Sequence, residues 1–478
     1  MVSRIYFALV SAMAAQPLFP RYSAALMAGD WQRAHGAVAG VADCTDRQLA
    51  AADDLRLLAL ADALALRDLD EEAEHYYARA QRACQGGADQ LRVLSGRNMA
   101  WQALKRQRYG VARNGFLGMV RDAAVTPAQA VEGCIGLAMA DHQLGRQEAA
   151  EQALEHAAKF AEETDEPLWL DIVALLRTDI AVQTGIHCSV SLADHVFWQS
   201  ARMAGAYRAN ATVAEPSWST QPLPTLMQRH LEYIQSLQGV SQGDRGALNK
   251  LNQHIEAMRG YGSASVLMPA RLVAVLAAMV GGFTQAAENL FDTLGMRDYQ
   301  QCGRHQDLDL LYVSARIASQ RGQSASAMSL YTAYSLRALH CLRAEALTLR
   351  GLDPRGDAGS QTRGDDISAR LPAKYRRAYR YIIENITHSA LTTREVAAHI
   401  DVTERALQMV FKRALGLSPG ALIRKLRLEG IRDDLLDDSR VNTSVLTTAN
   451  RWGVTSRSAL VKSYRKQFNE SPSETING

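Results

Sequence analysis

One pattern constrains this chain more than any other. A short bend containing Gly or Asp, then an alanine, then an apolar or aromatic residue four positions on, recurs through the first 350 residues. Gly29-Asp-Trp-Gln-Arg-Ala34 leads to Val38, Leu69-Asp-Glu-Glu-Ala73 to Tyr77, Tyr109-Gly-Val-Ala112 to Phe116, and Gly145-Arg-Gln-Glu-Ala-Ala150 to Leu154. Further on, Gly282 to Ala287 leads to Phe291 and Gly322 to Ala327 leads to Tyr331, with a weaker copy at Gly243-Asp-Arg-Gly-Ala-Leu248. The anchors at 34, 73, 112 and 150, and again at 248, 287 and 327, stand 38 to 40 residues apart. A period of that length reads as one antiparallel helix pair per unit, with the small anchor letting the two helices approach. Such pairs bury a continuous core only by stacking, which predicts an all-α curved array with a concave face.

The array resembles tetratricopeptide-type repeats, although its period exceeds their usual length of about 34 residues. Its register fails between about Gly185 and Arg229, where Pro216, Pro222 and Pro224 fall, so an insertion or a break between two sub-arrays is expected there. Repeat arrays offer surfaces to protein or small-molecule signals; the blander reading is a dimerising or purely structural helical domain. No array side chain singles itself out as a ligand contact. The opening, Met1 to Gln16, has one basic residue and an apolar run broken by Ser11. It has some features of a secretory leader, but reads better as an amphipathic first helix.

Composition matters once the chain is divided. The formal net charge of +3 is an average of two different objects. Residues 371–478 hold 18 Lys and Arg against 11 Asp and Glu, a balance of +7, which leaves −4 for residues 1–370. Between them Gly351 to Asp366 has four Gly, one Pro and almost nothing apolar, so 351–370 reads as a linker. This gives three parts: array 1–350, linker 351–370 and a basic module 371–478. The six cysteines (Cys44, Cys84, Cys134, Cys188, Cys302, Cys341) lie far apart, all but Cys302 in helical contexts. That spacing fits reduced thiols better than a zinc site or a disulfide framework, and no cofactor is called for. No apolar run is long enough to span a bilayer.

The basic module is the specific part. Thr392-Thr-Arg-Glu395 has the form of a capping box, opening a helix through Ile400. A turn at Asp401-Val-Thr403 leads into a second helix, Glu404 to Leu415, the helix-turn-helix arrangement. Leu407, Phe411, Ala414 and Leu415 form an apolar stripe, and Arg405, Gln408, Met409 and Lys412 form the opposite face. Residues 407–419 then recur at an offset of 53. Leu460 stands for Leu407, Tyr464 for Phe411, Arg465-Lys466 for Lys412-Arg413, and Ser471-Pro472 for Ser418-Pro419. The second copy has its own first segment, Ser444 to Arg451, and its own turn at Trp452-Gly453-Val454. Its exposed face reads Arg457, Ser458, Val461, Lys462 and Arg465. A helix from Gly420 to Leu436 joins the two copies.

This layout resembles the DNA-binding domain of the AraC/XylS transcription regulators over about Leu371 to Ile476. Its strongest motif is Leu407-Gln-Met-Val-Phe-Lys-Arg-Ala-Leu-Gly-Leu-Ser-Pro419 followed by Arg427-Leu428. The second copy departs from the family at Val454, Asn469 and Thr448, which leaves base reading by that copy open. A long helical region ahead of the module, on a chain opening Ile5-Tyr-Phe-Ala-Leu-Val-Ser-Ala12, looks like the Hrp-type activators of bacterial type III secretion genes. That resemblance implies a cytoplasmic, nucleoid-associated activator at promoters carrying paired direct-repeat boxes, working with RNA polymerase. It leaves open a homodimer and a signal received on the array. In family terms Arg405, Gln408 and Met409 of the first copy and Arg457, Ser458 and Lys462 of the second reach bases. Arg suits guanine, Gln suits adenine, and Met can offer only apolar contact, for example to a thymine methyl. Lys412, Arg413, Arg465 and Lys466 fall to phosphate contacts or solvated surface.

An enzyme finds no support: there is no Walker loop, no G-x-G-x-x-G after a strand, no H-E-x-x-H and no G-x-S-x-G. The alternative is a helical-repeat interaction scaffold or co-regulator in which DNA binding is secondary.

Overall fold

The computed structural model describes residues 3–39, 53–84, 87–203, 218–219, 222–294, 308–350, 371–388, 390–435, 445–454, 457–468, 470–472 and 475. The expected linker at 351–370 lies outside them, as do Cys44, Cys302, Pro216 and Asn469. The chain divides into two compact units, Met1–Gly356 and Asp357–Gly478. All described secondary structure is helical, and no helix among the described residues is long and apolar enough to cross a membrane.

The first unit opens with α1 (Ser3–Ala15) and continues as helix hairpins. These are α2–α3 (Pro20–Met27, Trp31–Ala39), α4–α5 (Asp53–Leu66, Asp70–Ala83), α6–α7 (Gly87–Lys105, Tyr109–Val120) and α8–α9 (Pro127–Gln143, Gln147–Glu162). A single α10 (Leu168–His187) and a short α11 (Val196–Ala201) follow. Then come α12–α13 (Thr225–Ser241, Arg245–Met258), α14–α15 (Ala264–Val280, Thr284–Asp292) and α16–α17 (Leu308–Gln320, Ser324–Arg350).

Every one of these hairpins turns in the same way. The residue five positions ahead of each anchor is left-handed: Gly29, Asp68, Gln107, Gly145, Gly243, Gly282 and Gly322. The next N–H reaches back to the carbonyl five residues earlier, as in Asp30 to Ala25 at 2.9 Å, Arg108 to Ala103 at 2.9 Å and Phe283 to Ala278 at 2.8 Å. This closure satisfies the carbonyls that a helix end leaves open. Ala34, Ala73, Ala112, Ala150 and Ala287 are buried as expected, and Ala327 is half-buried. In the weak copy the buried small residue is Ala247 rather than Leu248. The shift has a packing cause, because Ala247 faces Gly239, where a Cβ would stand 2.7 Å from its own.

Two expectations are corrected by the interior. The first helix is not amphipathic, for Arg4 to Met13 are all buried. It packs against α2, α4, α6, α8, α10 and α14, so it occupies the inner side of the array instead of leaving it concave and open. The array also closes around it: α2 packs on α12, and Tyr261 stacks on Trp31 with ring centroids 4.9 Å apart. Asp68 completes the closure by accepting hydrogen bonds from the Ser263 and Ser265 hydroxyls at 2.7 and 2.5 Å while pairing with Arg4 of α1. Burial raises the Asp68 carboxyl, but the Arg4 and Lys105 cations outweigh it and hold the group at about 2.

Buried charge ties these layers together. Arg97 of α6 forks onto Asp62 of α4 at 2.9 and 3.2 Å and reaches Glu132 of α8 at 2.7 Å. Asp62 also accepts from Tyr77 and from Ser11 of α1, each at 2.7 Å, and Trp101 donates to Glu132 at 2.7 Å. On the other side Tyr6 of α1 and His230 of α12 both meet Asp179 of α10, at 3.0 and 3.1 Å.

The interruption anticipated from Gly185 is narrower than its sequence suggests. α10 runs through Gly185 to His187, and hairpins resume at Thr225. The described part of the intervening segment is itself core: Phe197 and Trp198 are buried, and Asp309 of α16 accepts from His187, His195 and Trp198 at 3.0, 3.1 and 3.2 Å. Cys84, Cys134 and Cys188 are free thiols, with Cys84 and Cys188 just past helix ends rather than within helices. Burial pushes the Cys134 thiol up to about 12.

The second unit holds α18 (Ala373–Glu384), α19 (Thr393–His399), α20 (Glu404–Leu415), α21 (Pro419–Leu435), α22 (Val445–Arg451) and α23 (Arg457–Phe468). It has two small cores. One gathers Ile382, Val396, Ile400, Leu407, Phe411 and Leu422, the other Leu428, Ile431, Ala449, Leu460 and Tyr464, and Trp452 packs against both.

Candidate nucleic-acid interface

Each helix-turn-helix is built by the same local bonds. In the first, the N–H groups of Ile400 and Val402 both reach the Ala397 carbonyl, at 3.3 and 3.1 Å, and Asp401 is left-handed with φ 50°. In the second, the N–H groups of Trp452 and Val454 both reach the Ala449 carbonyl, at 3.1 and 2.9 Å, and Gly453 has φ 71°. These turns are 52 residues apart while the helices that follow match at 53, so the second turn carries one extra residue. Glu404 is therefore the counterpart of Arg457, and Arg405 of Ser458.

Caps fix where the helices begin. Thr403 accepts from the Ala406 N–H at 3.2 Å and starts α20, and Thr392 accepts from the Glu395 N–H at 3.2 Å and starts α19. The reciprocal half of the expected capping box is diverted, because the Glu395 carboxylate takes a hydrogen bond from Tyr381 at 2.8 Å. That bond, with Tyr381 stacked on His399, clamps α18 to α19. At the far end of α20, Gly416 closes the helix with φ 71°. Ser418 accepts from the Ala421 N–H at 3.3 Å, and α21 begins at Pro419, one residue before the expected Gly420.

The two faces of α20 divide as the spacing requires. Leu407 and Phe411 are buried, while Arg405, Gln408, Met409, Lys412 and Arg413 are all exposed, Met409 at 66%. A methionine so open to water adds nothing to the core and is free for an apolar contact elsewhere. On α23, Leu460 and Tyr464 are buried, and Ser458, Lys462 and Arg465 are exposed. Val461 is half-buried, and with Ser458, Lys462 and Arg465 it lines one open groove. Arg457 opens α23, but its side chain and that of Lys466 lie outside the described residues. Arg405, Lys412, Arg413, Lys462 and Arg465 are exposed, and among the described residues no ion pair engages them.

The departures in the second copy have structural counterparts. Tyr464 brings a hydroxyl where Phe411 has none, and Thr475 satisfies it at 2.9 Å. Thr448 is buried and Val454 packs half-buried on the second core. Sequence reasoning passed over Lys374, whose ammonium reaches the Asp401 carbonyl of the first turn at 3.3 Å. The basic run Lys374 to Arg380 was the available signal. It also met Arg427 only as part of a motif, although this side chain touches both halves of the unit.

Comparison with known proteins bears on the same region and beyond it. A helix-turn-helix domain model matches residues 396–478. Over 482 aligned residues the chain is 46% identical to the Regulatory protein HrpB of Ralstonia nicotianae, with 100% of each chain covered. A second relative, the Probable thc operon regulatory protein of Rhodococcus erythropolis, is 28% identical over 158 residues, which are 33% of this chain and 46% of that protein. No solved structure matches the chain. With a full-length relative at this identity and an AraC-type domain at its C-terminal end, the chain belongs to the family of Hrp-type regulatory proteins that includes HrpB.

Proposed function

We propose that this chain activates type III secretion (hrp) genes by reading two successive major-groove half-sites of a promoter. The AraC-type domain and the likeness to HrpB make it a DNA-binding transcription regulator. The reading of two half-sites rests on one observation: two helix-turn-helix motifs with matching turn bonds share the connecting helix α21, and α20 and α23 both expose cationic residues. Two such helices suit segments roughly 10 base pairs apart on one face of the duplex.

In this reading Arg405 takes the O6/N7 edge of a guanine, Gln408 an adenine and Met409 a thymine methyl. Arg457, Ser458 and Lys462 face the second half-site. Lys412, Arg413, Arg465 and Lys466 meet phosphates, which fix register without reading sequence. The protein works in the cytoplasm and touches RNA polymerase; the first unit receives any signal on its outer surfaces. The scaffold alternative has less to stand on, since α1 occupies the inner side of the array.

The test is a salt series with the full-length chain and duplexes from its own chromosomal neighbourhood. One duplex is bound in preference to competitors, and its affinity falls steeply with salt as counterions are released. Binding that ignores salt, or that any duplex displaces equally, defeats the proposal.

A further inference from the structure

The two reading motifs have separate cores, so something must set the distance and angle between them. Arg427, midway along α21, lies where it can. Its Nε donates to the Ile386 carbonyl at 2.9 Å, one terminal nitrogen donates to the His388 carbonyl, and the other reaches the Gly453 carbonyl at 3.4 Å. Ile386 and His388 follow α18 in the first half of the unit, whereas Gly453 is the left-handed residue of the second turn. One guanidinium thus holds backbone from both halves, and burial lowers its pKa from the ordinary arginine value. A planar fork serves three carbonyls at fixed angles from three separate nitrogens; a lysine ammonium is a point charge on a flexible stem.

One helical turn further along α21, Gly430 meets Trp452. A Cβ on Gly430 would stand 2.4 Å from the indole ring, so the two surfaces touch with no room for a side chain. Trp452 is also the residue shared by the two cores. Positions 427 and 430 share one face of α21, so the fork and the indole contact act on the same seam.

We infer that Arg427 and the Gly430–Trp452 contact are positioning residues that fix the separation of the two recognition helices, and through it the half-site spacing the protein selects. The inference rests on the two-half-site reading proposed above. Neither residue needs to touch DNA.

The experiment uses the full-length chain and a duplex it selects from a random-sequence pool. Affinity is measured for that duplex, for versions with one base pair inserted or removed between the half-sites, and for each half-site alone. The wild type favours its selected spacing. Arg427→Lys and Gly430→Ala lower affinity for that spacing by about tenfold, a change of about 1.4 kcal/mol. Both variants leave shifted spacings and single half-sites within about twofold of wild type, about 0.4 kcal/mol on the same scale. Spacing preference retained by both variants overturns the inference alone. Equal loss on every probe, half-sites included, overturns it too, because that marks a merely structural role. A wild type indifferent to spacing instead sinks the two-half-site reading, and the inference with it.

Discussion

The two units dispose of charge in opposite ways. The first takes Arg97, Asp62, Glu132, Asp179, His187, His195 and His230 out of water and pairs them across the fold. The second turns Arg405, Lys412, Arg413, Lys462 and Arg465 outward with no partner among the described residues. Buried pairs specify which helices meet, but they add little net stability because desolvation offsets their attraction. Exposed cations do nothing for the fold and much for a polyanion. The same residue types therefore serve assembly in one unit and, in the function proposed here, recognition in the other, and substitutions should separate the two uses.

The largest effect belongs to the first unit. Arg97→Ala strands two carboxylates in the interior and destabilises the unit by about 3 to 5 kcal/mol, read by urea denaturation. A loss no larger than a surface substitution gives would end the contrast. Next comes Arg405→Ala, which weakens binding to one half-site by about 1 to 3 kcal/mol and spares non-specific affinity. Uniform loss across sequences would reassign Arg405 to phosphate.

Acid should reach only one unit. Burial, helped by the neighbouring His187, pushes His142 down to about 3, and burial lowers His195 against the pull of Asp309. Unfolded histidine titrates near 6.5, so below that pH the unfolded chain holds more protons than the folded one. Stability is then complete above about pH 6.5 and falls by up to about 1.4 kcal/mol per pH unit per histidine as pH drops toward the folded values. The described histidines of the second unit, His388 and His399, are exposed. Hydrogen exchange above and below pH 6.5 should find the loss confined to the first unit, and equal loss in both would break the comparison.

Two smaller effects sharpen the second unit. Tyr464→Phe gives the second motif the residue the first already has and removes the bond to Thr475, for about 1 kcal/mol in thermal melts. Lys412→Ala weakens all duplexes alike and reduces the salt slope by about one.

What the sequence makes legible follows from what is local. Hairpin turns and their alanine anchors depend on a few adjacent residues, so the seven copies can be read directly, with a one-residue error only where Gly239 pairs with Ala247. The exposed face of α20 follows from helical spacing. The burial of α1 is not local: Tyr6 meets Asp179, 173 residues away, and nothing near Tyr6 announces it. Asp62, Arg97 and Glu132 look like solvated charges until three helices bring them together. Arg427 is visible as a motif residue, yet its role depends on carbonyls 26 and 41 positions away.

The central place of α1 has a consequence for biosynthesis. α1 packs against α14, which begins at Ala264 and is therefore translated much later. At about 5 to 20 residues per second, an apolar segment waits roughly 12 to 50 s for this partner to be made. During that interval it is exposed to chaperones and to its own neighbours on the polysome. The yield of folded protein should depend on what shelters α1 during that interval.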